Sequence, residues 1–100
     1  MKHYTPHEIT RTVNEVYEIS KTIFDGIKSF RTYNTDFDLD DYLIIVEPCS
    51  DKVGYDYQII ITDWSSNDVF AIIPFWNGSG LTVESISDEI LKAIFKYELD

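Results

Sequence analysis

Three short runs between Tyr42 and Trp76 leave this chain few ways to fold. Tyr42–Glu47, Tyr55–Thr62 and Val69–Trp76 are each rich in β-branched and aromatic residues and bounded by turn residues, which is the composition of strands. The stretches between them, with turns at Ser50–Gly54 and Asp63–Asp68, are too short for the dozen or more residues that a parallel crossover needs. The strands therefore pair as an antiparallel meander in chain order. Pro74 cannot donate to a ladder, which puts the third run at a sheet edge.

A helix pattern lies on either side. Thr5-Pro6-His7-Glu8 offers a cap, a proline suited to the first helical position and a Glu three residues on that completes a capping box. Ile9, Val13, Val16, Ile23, Ile27 and Phe30 then recur at steps of three and four, with Ser20 filling the gap and Tyr17 and Phe24 widening the stripe. Gly26 weakens that helix by about 1 kcal/mol relative to Ala, and the pattern ends near Arg31. Asn77-Gly78-Ser79-Gly80 breaks the chain again, and Ser85 with Asp88 marks the start of a second helix with an inner stripe of Ile86, Ile90, Ala93, Ile94 and Tyr97. Asp36–Asp41 reads as an acidic loop. The expected fold is one α+β domain over residues 1–100, with an N-terminal helix, a three-stranded antiparallel β-meander and a C-terminal helix.

Two helix arrangements suit this order. If both pack on the face of Tyr57, Ile59 and Ile61, the other face exposes Ile60, Phe70, Ile72 and Trp76. If each helix covers one face, nothing is left open. Small domains rarely leave so much apolar surface free, which favours a covered core with a partly exposed aromatic rim.

Charge is the feature that speaks to function. The chain carries 18 acidic and 8 basic residues, a net of −10. Residues 1–31 hold five basic and four acidic residues, whereas residues 32–68 hold nine acidic residues against Lys52 alone. Such a field repels nucleic acid and anionic membranes and attracts basic protein surfaces. No apolar run is long enough to span a bilayer, no apolar segment of a secretory signal follows Met1, and the lone Cys49 fits a reducing compartment. The cytoplasm is the expected location.

No catalytic or metal motif survives inspection. Asp36, Asp38, Asp40 and Glu47 match the first, third, fifth and twelfth places of a calcium loop, but Asp41 stands where the turn needs Gly and strand follows instead of helix. Gly78-Ser79-Gly80 lacks the third glycine of a dinucleotide fingerprint and the Lys of a P-loop. His3 and His7 have helical metal spacing, yet His3 precedes the helix and no third ligand is near. Cys49 sits beside Glu47 and Asp51, which oppose a thiolate. The chain is thus expected to be neither an enzyme nor a cofactor protein, nor a direct binder of nucleic acid.

What remains is a partner-binding surface. Asp36, Asp38, Asp40, Asp41, Asp51, Asp56, Asp63 and Asp68, interspersed with Tyr42, Tyr55, Tyr57 and Trp64, combine carboxylates with the aromatic types that anchor interfaces. DNA presents about one negative charge per 1.7 Å of axis, and its binders carry basic arrays that this set could meet. In composition, size and coarse element order the chain resembles the small acidic DNA-mimic and anti-CRISPR proteins of phages and mobile elements. That resemblance implies an inhibitor of anti-CRISPR or anti-restriction type that blocks a nucleic-acid-binding protein. An immunity protein or antitoxin that neutralises a basic nuclease toxin uses the same physics. A structural homodimer through an aromatic sheet face, its acidity serving solubility alone, is the third possibility.

Overall fold

The computed structural model describes residues 5–29, 33–49, 56–76 and 80–99. Its elements are α1 (Pro6–Ser29), β1 (Thr35–Leu39), β2 (Tyr42–Pro48), β3 (Tyr57–Asp63), β4 (Asp68–Phe75) and α2 (Val83–Leu99). The sheet has four antiparallel strands in the order β1-β2-β3-β4, one more than the sequence reading assigned. The addition is the supposed acidic loop. Asp36, Phe37, Asp38 and Leu39 alternate polar and apolar, and as a strand they direct Phe37 and Leu39 to one face, opposite Ile44 and Tyr42. A two-residue turn follows, with Asp40 in the left-handed region (φ 48°) that Asp tolerates better than most residues.

Strand parity divides the sheet into two unlike faces. Leu39, Tyr42, Ile44, Val46, Tyr57, Ile59, Ile61 and Phe75 share one face and are buried. They form a single core with Val16, Ile23 and Ile27 of α1 and Ile86, Ile90 and Ile94 of α2. Both helices therefore lie side by side on that face, α1 toward β1 and α2 toward β4. The covered arrangement expected from domain size does not occur: no described helix or strand lies over the opposite sheet face, which we call the bare face, although Thr62 on it is only 8% exposed.

Ser20, fully buried in the gap of the α1 stripe, donates its hydroxyl to the Val16 carbonyl at 2.7 Å, so its polar atom costs little there. The stripe nevertheless fails at its start, where Ile9 and Val13 are 41% and 37% exposed. A 24-residue helix is about 36 Å long, whereas the eight-residue β4 spans about 26 Å. The first turns of α1 are correspondingly more open than the rest, although Thr12 is buried and Arg11 reaches Asp40 of the β1–β2 turn.

The Thr5–Glu8 capping box forms in both directions, each bond at 3.1 Å. The second helix starts two residues before Ser85. Thr82 is its cap, accepting from the Ser85 amide at 3.0 Å while the Ser85 hydroxyl accepts from the Thr82 amide.

A β-bulge decides what β4 shows to each side. Ile61 pairs with Ala71 but Thr62 with Val69, so Phe70 is the extra residue. Simple alternation places Val69 on the core side and Phe70 on the other. The bulge exchanges them. Phe70 turns under α2 and stacks on Tyr97, with ring centroids 3.9 Å apart, and meets Tyr42 edge-on at 5.5 Å. Val69 is left on the bare face, 53% exposed.

Candidate protein-binding surface

The bare face can be laid out from the pairing register. Asp36, Ile45, Ile60 and Ile72 stand directly opposite one another across the four strands. Asp38, Leu43, Thr62 and Val69 form the next row toward the β1–β2 turn. Toward the other end come Glu47, Gln58 and Pro74, with the Gln58 amide donating to Glu47 at 2.8 Å. The result is graded from side to side. The β1 border is carboxylate, and the middle and far side are aliphatic, with Ile72 60% exposed. An exposed apolar patch with a polar rim is the anatomy of an interaction site.

Charge is segregated by layer. Among the described residues, Arg11, Lys21, Lys28, Lys92 and Lys96 are all on the two helices, and three of them pair with carboxylates of their own helix. The described part of the sheet layer carries Asp36, Asp38, Asp40, Asp41, Glu47, Asp56, Asp63 and Asp68 and no cation. The acidic border continues around the β1 edge into an open cleft of about 380 Å³, where Glu15, Glu18 and Asp38 surround Ile19.

The residues singled out in the sequence meet different fates. Asp36 and Asp38 project from β1 onto the bare face, and the Trp64 indole, 47% exposed, donates to Asp38 at 3.2 Å. The Trp64 amide also donates to the Asp41 carbonyl at 2.9 Å, which ties the β3–β4 turn to the β1–β2 turn. Asp40 lies at the same end, held by Arg11 at 3.2 Å. Asp68, exposed, begins β4 opposite Asp63. Asp56 is exposed at the far end of the sheet. Asp51 and Tyr55 lie outside the described residues.

Tyr42 is part of the core, and Asp63 sits part-exposed at the border of the helix-covered face. Tyr42 is 3% exposed, on the helix-covered face, because its strand parity is that of Ile44 and Val46. Asp63 has the same parity at the end of β3, and the Tyr97 hydroxyl of α2 donates to it at 2.5 Å. That bond, with two more from Ser65, favours the carboxylate and holds the Asp63 pKa below its usual value. The same bond holds the Tyr97 proton and raises the tyrosine's pKa, assisted by desolvation.

The surface also contains residues the charge argument passed over. Ile45 and Leu43 belong to the first apolar run, whose exposed part the sequence left unspecified, and simple alternation puts Val69 on the face opposite to the one the bulge gives it. Period-2 parity across paired strands was the signal available for Ile45 and Leu43. For Val69 there was none, since a bulge leaves no mark in an apolar run.

The calcium spacing of Asp36, Asp38, Asp40 and Glu47 is spread along two extended strands, not wrapped round a point. Among the described residues no three His, Cys, Asp or Glu side chains converge on one position, and no helix is long and apolar enough to cross a membrane. His3, Gly78 and Ser79 lie outside the described residues. No protein-family model, curated protein or solved structure matches this chain.

Proposed function

We propose that this protein is a small acidic binding protein that occupies the basic surface of a nucleic-acid-binding protein or nuclease and so inhibits it. The observation that carries the reading is the charge of the sheet layer: eight described carboxylates, no described cation, on a rigid antiparallel scaffold. Opposed charge of this density steers association and makes it salt-sensitive. A protein that evolved to meet phosphates presents the Lys/Arg array such a layer would engage. Trp64, fixed between the turns by its bonds to Asp38 and Asp41, supplies an aromatic anchor beside the charges.

The test is capture followed by competition. The intact protein is immobilised, exposed to lysate and eluted with a salt gradient, and each released protein is assayed for nucleic-acid binding with and without this chain. The expected result is release of a nucleic-acid-binding protein at moderate salt, with its nucleic-acid binding lost when the chain is present. A partner that keeps full nucleic-acid binding while held would overturn the inhibitor reading. So would a set of captured proteins containing no nucleic-acid binder.

A further inference from the structure

The open sheet face is half acid and half aliphatic. A surface that only replaced a phosphate backbone would need no aliphatic half. Ile45, Ile60 and Ile72 form a straight row across three strands, at a strand spacing of about 4.8 Å, and Leu43 and Val69 widen it. Asp36 extends the same row onto β1, with Asp38 beside it. A sheet that is apolar on one face ordinarily buries it against a helix, and this sheet already does so on its other side. The four strands are about 14 Å wide, room for a helix of 10–12 Å diameter.

We propose, resting on the reading above, that the bare sheet face is the seat of one basic amphipathic helix of the partner protein. The helix lies along the strands with its apolar stripe on Ile45, Ile60 and Ile72. Its Lys or Arg residues on one flank meet Asp36 and Asp38. A second copy of this chain is the poorer occupant, because two such faces would bring carboxylates together with no described cation on either.

The experiment is an NMR titration of the intact, isotope-labelled protein with a synthetic helical peptide of about 15 residues, a length matching a seven-residue strand. The peptide carries a Leu stripe flanked by Lys. Two controls have either the Lys kept and the stripe scrambled, or the stripe kept and Lys replaced by Ser. Amide shifts are expected to cluster on Leu43, Ile45, Ile60 and Val69, with both controls binding at least about tenfold weaker, a difference of about 1.4 kcal/mol. Ile72→Ser, at an exposed position where folding is safe, should weaken binding several-fold. Asp36→Asn with Asp38→Asn should weaken it and flatten its salt dependence. Shifts confined to the helix layer would overturn the proposal, as would equal binding of the scrambled peptide. Sedimentation showing a stable dimer of the free protein that buries this face would also overturn it. The two readings can fail separately. A captured nucleic-acid binder whose affinity ignores Ile72→Ser sinks the helix seat alone. Peptide binding on this face with no nucleic-acid binder captured sinks the inhibitor reading alone.

Discussion

The Tyr42 hydroxyl is the one buried side-chain polar atom among the described residues that finds no hydrogen-bond partner. Its ring is held edge-on by Phe70 and by Tyr97, and the oxygen is carried into the core with it. A buried hydroxyl without a partner costs free energy that a hydrogen in its place does not. Tyr42→Phe is therefore expected to stabilise the fold by about 1 kcal/mol, read as a higher urea midpoint at unchanged slope. A loss of stability would mean that the oxygen is bonded after all. Asp63 and Tyr97 behave in the opposite way. The bond between them depresses the Asp63 pKa, so its contribution is present above the unfolded carboxylate's pKa of about 4 and disappears as pH falls through the lower, folded value. The Tyr97 pKa is raised, so its share holds below about pH 10 and is lost as pH rises through the folded value. Tyr97→Phe should flatten the acid limb of a stability-versus-pH curve and also remove the alkaline fall. A variant that denatures in acid as steeply as the parent would show that other carboxylates dominate.

At the scale of elements, Gly26 shows how tertiary contact overrides propensity. In an isolated helix Gly26→Ala would gain about 1 kcal/mol. In this fold an added Cβ would run into the ring of Tyr33, which lies against the buried Gly26 backbone. The substitution is expected to lower the melting temperature, and Tyr33→Ala in the same chain should recover part of the loss. A rise in melting temperature from Gly26→Ala alone would remove that contact from the account. The same lesson runs through the comparison of sequence with fold. The meander, its order, the edge position of β4 and both helices were legible from period and turn chemistry. The strand β1 was missed because its composition, three aspartates in five residues up to Asp40, outweighed its alternation. The start of α2 was missed because Thr82 and Ser85 form a reciprocal box in which either could have been the cap. Of the candidate surface, Asp36, Asp38 and Trp64 were legible from residue type alone. Tyr42 was misplaced, because aromaticity says nothing about which way a strand residue points.

For the whole molecule, the separation of charge between layers has a cost. Helix carboxylates are partly balanced by their own lysines and Arg11, while the described sheet carboxylates share a layer that holds no described cation, and the Arg11–Asp40 pair that reaches it from α1 is half exposed and worth little. Screening should relieve the repulsion among them. The melting temperature is expected to rise between low and physiological ionic strength, and to rise less in the variant carrying Asp36→Asn and Asp38→Asn. A salt response identical in the two would place the repulsion elsewhere in the chain.

The bulge has a genetic corollary. Phe70 is the surplus residue of its ladder, so excising it would leave Thr62 opposite Val69 and Ile61 opposite Ala71, each with the neighbour it has now. A three-nucleotide deletion at this codon would be neutral for register. It would cost the ring that stacks on Tyr97 and meets Tyr42 edge-on at the border of the core. Most single-residue deletions inside a strand turn half of it inside out; this strand contains a position where length can drift by one without reversing the two faces of the sheet.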